Sequence, residues 1–115
     1  MKRSEARGDK LRLSDILASL DRIEEYTRGP RTEFIESSLL QDAVARNLVI
    51  IGEAAHHLSP SLRSDHARIP WKRLVDYRHL AAHEYFSWKP EELWAIARTK
   101  LPGLRQMLRG VRAKG

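Results

Sequence analysis

The chain of 115 residues contains no cysteine, which excludes disulfides and thiolate-bound zinc and leaves the redox compartment open. It has no apolar run near the ~20 residues that a membrane-spanning helix requires. The basic start is not followed by the apolar core of a signal peptide. No segment alternates apolar and polar residues as a half-buried strand does. One domain with a real core is expected at this length, with little room for a second. Together these absences point to an all-α, cytoplasmic protein that does not enter membranes.

What is present begins with charge. Lys and Arg outnumber Asp and Glu by 21 to 15, for a net charge of +6. That balance tilts toward polyanionic partners such as RNA, though an acidic protein partner suits it as well. The pattern predicts a single helical domain over residues 11–110, with a flexible basic leader over 1–10 and a basic tail over 111–115.

Apolar residues at steps of three and four then mark four to five helices, arranged as an up-and-down bundle. Leu13, Ile16, Leu17, Leu20 and Ile23 predict a helix over 14–28, with Ser14 as its N-cap and Gly29-Pro30 as its stop. A single turn over 32–36 points Phe34 inward. A long helix starts at Ser38, where Ser38 and Gln41 fit a capping box, and ends at Ser59-Pro60. Its stripe of Leu40, Val44, Leu48, Ile51, Ala55 and Leu58 is widened by Leu39, Ala43 and Ile50, so contact on more than one side is expected. Gly52 costs about 1 kcal/mol of helix propensity against alanine, which calls for the close approach of another helix. After a polar connector over 61–68, Ile69-Pro70-Trp71 opens a third long helix that runs to about Tyr85. Pro90-Glu91-Glu92 starts the last one, which Pro102 kinks or splits.

Glu53 and His56 have the Glu-x-x-His spacing of di-iron bundles, which need a second such pair and two further glutamates. No second pair exists, so no metal or other cofactor is expected. His56 and His57 read as histidines at the negative end of a helix dipole.

The chemistry concentrates in residues 76–86, where Asp76, Arg78, His79, His83, Glu84 and two tyrosines interrupt an apolar helical pattern. Extending the stripe of Trp71, Leu74 and Val75 by threes and fours lands on Arg78, Ala82 and Tyr85. An arginine in such a row must be paired, satisfied by carbonyls, or turned toward a cleft or a second subunit, because a buried unpaired guanidinium is costly. Arg78 and Tyr85 share a helix face to within about 20°, whereas His83 lies about 140° from Arg78. One straight helix therefore does not join Arg78 to His83. Either the helix ends near His83 or the pair is completed across a dimer.

The order of features resembles the HepT-like toxins of the HEPN superfamily from about Leu13 to Leu108. The residues that carry the resemblance are Asp15-Ile16-Leu17, Tyr26-Thr27-Arg28-Gly29, Phe34, residues 43–48 leading into Ile51-Gly52-Glu53-Ala54, Ile69-Pro70-Trp71, Arg78 to His83 with Tyr85, Leu93-Trp94 and Leu101-Pro102. The superfamily signature is an arginine, commonly a polar residue next, and a histidine five positions after the arginine. Arg78, His79 and His83 fill those places, with His79 standing where asparagine is common.

The resemblance implies a metal-independent endoribonuclease that acts as the toxin of a toxin–antitoxin pair, partnered by a minimal nucleotidyltransferase antitoxin. It implies a homodimer in which both motifs line one cleft, RNA (tRNA or mRNA) as substrate, and Tyr85 as a site of silencing adenylylation. Arg78 and His83 would be catalytic and His79 a supporting substrate contact. Without the resemblance, Arg78 reads as a structural arginine paired with Asp76 or Glu84 or capping carbonyls, and His83 as a helix-end residue. The alternative function is a binding module that partners a nucleotidyltransferase and cleaves nothing.

Overall fold

The computed structural model describes residues 3–80 and 88–111. Every element among them is helical: α1 (Arg3–Tyr26), α2 (Arg31–Ile35), α3 (Ser38–His56), α4 (Pro60–Asp65), α5 (Trp71–Asp76) and a 3-10 segment (Tyr77–Leu80). The chain continues with α6 (Pro90–Ala95), a π-helical segment (Ile96–Lys100) and α7 (Leu101–Arg109). The architecture is an all-α bundle.

Its centre is α3, which is contacted by α1, α2, α5, the 3-10 segment and α6. Val44, Leu48, Ile51 and Ala55 are fully buried along it, so the expected contact on several sides is present. Leu39 breaks the widened stripe, standing 78% exposed. The N-cap is Ser37 and not Ser38, its hydroxyl accepting from the Leu40 amide at 3.1 Å. Gln41 does not close a capping box but donates to the Phe34 and Ile35 carbonyls at 3.0 Å each. It thereby ties the short α2, with Phe34 buried as expected, to the start of α3.

The first helix starts at Arg3, well before Ser14, so residues 3–10 are helical. Ala6, Asp9, Leu13, Ile16, Leu20, Ile23 and Thr27 are all buried, at strictly alternating steps of three and four. A carboxylate at one of these positions hides the stripe from a reading by hydropathy. Asp9 is only 2% exposed, and it accepts from the Ser59 amide at 2.8 Å and the Ser59 hydroxyl at 2.6 Å. Ser59 in turn caps α4 by accepting from the Leu62 amide at 3.3 Å. This pairing meets the rule that buried charges persist where hydrogen bonds replace water. It also fixes the α3–α4 corner against α1.

At the other end of the chain, Arg105 of α7 forks between Asp21 and Glu24 of α1. Pro102 lies just inside α7. A proline removes one backbone donor and crowds the carbonyl a turn upstream. The π-helical turn at Ile96–Lys100 absorbs that conflict, so the last helix is neither sharply broken nor regular.

Candidate active site

The site is built where the α5 row passes into the 3-10 segment. Trp71, Leu74, Tyr77 and Leu80 are buried, at steps of three. In 3-10 geometry residues three apart eclipse one another. The buried row therefore runs through Tyr77, and Arg78 stands half-buried at its edge. The sequence expectation, made on α-helical angles, had placed Arg78 in that row. Burial also pushes the Tyr77 phenol above its ordinary pKa, and the Arg73 charge only partly opposes this. Tyr77 is a neutral core residue.

The backbone of Arg78 lies directly on Gly52. A Cβ built there would sit 2.3 Å from the Arg78 amide nitrogen and 2.9 Å from its Cα. The close approach expected at Gly52 is thus met by the motif itself. It aligns Arg78 with the residues that follow Gly52 on the last turn of α3. Arg78 Nε lies 4.0 Å from Glu53 Oε1, with the guanidinium side chain 29% exposed. The other Glu53 oxygen, Oε2, is 3.8 Å from His57 Nε2. Asp76, an expected partner, instead faces Lys72 at 3.4 Å.

His56 completes the group. Its ring meets that of His57 edge-on, with centroids 5.2 Å apart. Partial loss of water around the ring, then the Arg78 charge, then His57 and Arg63, lower its pKa below the ordinary 6.5, with Glu53 opposing. Sequence reasoning set His56 and His57 aside as helix-end residues. The signal that could have found them was Gly52, since whatever docks on it must face positions one helical turn further along.

Of the other predicted residues, His79 is exposed on the same 3-10 turn as Arg78. His83 and Tyr85 lie outside the described residues. No group of three or more His, Asp or Glu side chains among the described residues is arranged to hold a metal ion. No helix among them is long and apolar enough to cross a membrane.

The arrangement can bind an anion at a half-exposed guanidinium, with neutral imidazole and carboxylate beside it. The family model described as ribonuclease HepT-like matches residues 16–111. The chain belongs to the ribonuclease HepT-like family. The resemblance to the HepT-like proteins of the HEPN superfamily is therefore borne out. Three similar proteins carry related names. One, from Methanocaldococcus jannaschii, is named a gamma-glutamylcyclotransferase and, provisionally, an RNase; it is 36% identical over 84% of this chain, which spans only 44% of that longer protein. A second, from the same organism and provisionally named an RNase, is 34% identical over 87% of this chain and 93% of its own length. A third, from Thermococcus cleftensis and provisionally named ribonuclease HepT, is 34% identical over 86% of this chain and 91% of its own. No solved structure matches.

Proposed function

We propose that this HepT-like chain is a metal-independent endoribonuclease, the toxin of a type VII-like toxin–antitoxin pair, acting as a homodimer. The HepT-like family and the ribonuclease names of its relatives support an RNase-type function. The observation that carries the reading to a site is the seating of Arg78: its backbone lies on Gly52 and its guanidinium emerges beside Glu53 and His56.

Arg78 binds two oxygens of the scissile phosphate and stabilises the charge that builds on the phosphorane. His83 takes the proton of the 2′-hydroxyl, whose oxygen attacks phosphorus as the bond to the 5′-oxygen breaks. A protonated imidazole, that of the second copy or of His79, returns a proton to the leaving oxygen. A 2′,3′-cyclic phosphate and a 5′-hydroxyl result. Histidine suits both proton roles because its ordinary pKa lies near neutrality. The antitoxin, a minimal nucleotidyltransferase, silences the enzyme by transferring AMP from ATP to the Tyr85 phenol, with pyrophosphate leaving. The added phosphate and base then occupy the ground of the substrate in front of Arg78.

The test is incubation of the unmodified protein with total RNA and with tRNA in excess EDTA, beside Arg78→Ala and His83→Ala. Cleavage that both variants lose supports the reading. Intact RNA with protein of unmodified mass overturns it in favour of a non-catalytic binding module.

A further inference from the structure

A second cationic element lies beyond Arg78. The last turn of α3 and its C-cap present Glu53, His56 and His57, and α4 opens four residues after His56 with Arg63 one turn inside it. Arg63 is half-buried. Its Nε is shielded from water yet meets no acceptor among the described residues. No carboxylate among them lies within ion-pair reach of it, whereas Arg78 has Glu53, and Arg105, whose Nε is shielded in the same way, has Asp21 and Glu24 at its terminal nitrogens. A shielded guanidinium N–H without an acceptor is unfavourable. The ligand that best matches its planar fork is a phosphate or a carboxylate. Charge also selects: the carbonyl end of α3 repels an anion, and the only carboxylate in the cluster is turned to Arg78 and His57. An anion held here must therefore be held by cations.

We propose that Arg63 and His56 form a second phosphate subsite, which holds an RNA backbone phosphate neighbouring the one on Arg78. The substrate strand then runs from the 3-10 turn, over the end of α3, to α4. The proposal rests on the RNA-cleaving reading for its ligand, but its test does not need cleavage. The charged groups facing His56 are Arg78 from the 3-10 segment, Glu53 from α3, His57 at its C-cap, and Arg63 from α4. Three of the four disfavour its imidazolium in the free protein, so a bound phosphate restores the proton and binding tightens on acidification.

The probe is a single-stranded RNA oligonucleotide 2′-O-methylated throughout, which cannot be cleaved by its own 2′-oxygen. Its affinity is measured by fluorescence anisotropy across a salt series. Arg63→Ala should weaken binding about tenfold, as loss of a charge-assisted hydrogen bond does, and flatten the slope of log K against log salt by about 0.7. Arg63→Lys should restore the slope. Arg98→Ala, outside the cluster and stacked on Trp94 at 5.7 Å, should leave affinity within about twofold of wild type, since one remote charge is largely screened. With cleavable RNA, Arg63→Ala should raise KM and leave kcat within about twofold, as loss of uniform binding does. Should Arg63→Ala fail to fold, the His56 ring proton resonance of the wild type still reports, and must move toward the imidazolium position when the probe is added. Unchanged affinity and slope in Arg63→Ala, or a His56 resonance that ignores the probe, overturns the subsite. Arg63-dependent binding without cleavage of ordinary RNA keeps the subsite and removes the nuclease.

Discussion

A Cβ at Gly52 would stand 2.3 Å from the amide nitrogen of Arg78. The obstacle is backbone, which cannot swing aside as a flexible side-chain tip can. Gly52→Ala gains about 1 kcal/mol of helix propensity but overpacks the helix crossing, which costs at least the upper part of about 1–3 kcal/mol. Net destabilisation is expected in urea melts. RNA cleavage should fall more than stability does, because any relief moves Arg78 away from α3. Gly103→Ala is the control: a Cβ there meets nothing within 4 Å, so stability should hold or rise by up to about 1 kcal/mol.

Asp9 predicts a second outcome. Asp9→Ala leaves the buried Ser59 amide without its carboxylate partner and should cost roughly 2–4 kcal/mol in a denaturant melt, as loss of a charge-assisted buried pair does. Glu5→Ala, exposed on the same helix, should stay within about 0.5 kcal/mol. Equal, small effects would show that the first ten residues behave as a loose leader.

His56 sets a pH dependence. Its native pKa lies below the ordinary 6.5, through partial desolvation and then the Arg78 charge. The unfolded chain therefore takes up this proton before the folded one. Stability should fall as pH drops through about 6.5 and level off below the depressed native value. An NMR titration should find the His56 midpoint low in wild type and higher in Arg78→Ala. Equal midpoints would separate the two residues.

Arg78→Lys keeps the charge and removes the planar fork. Lysine offers a point charge where the proposed reaction asks two parallel donors of Arg78. Cleavage should drop at least about tenfold, the scale of one lost charge-assisted hydrogen bond, while thermal stability stays close to wild type. Full activity in the variant would reduce the role of Arg78 to a bulk positive potential.

Much of this was legible along the chain. Gly52 in mid-helix signalled a close approach, Phe34 its inward turn, and Pro102 an irregularity in the last helix. What was hidden depended on partners distant in sequence. Asp9 belongs to the core-facing stripe only because Ser59, fifty residues on, answers its charge. His56 joins Arg78 only through the crossing at Gly52. The row through Tyr77 was misphased because periodicity read at 3.6 residues per turn cannot foresee a change to three.

The π-helical turn at Ile96–Lys100 has a consequence for how this chain can change length. A π turn holds one residue more than an α-helix uses to join the same two flanks. One residue of Ile96–Lys100 is thus surplus to the register that joins the faces of α6 and α7. Loss of one residue there, together with Pro102→Ala to admit a regular helix, would leave Leu93 and Leu104 facing the sides they face now. Loss of one residue from the middle of α3 would instead rotate Gly52 by about 100° from the positions before it, and Arg78 would have nothing to rest on.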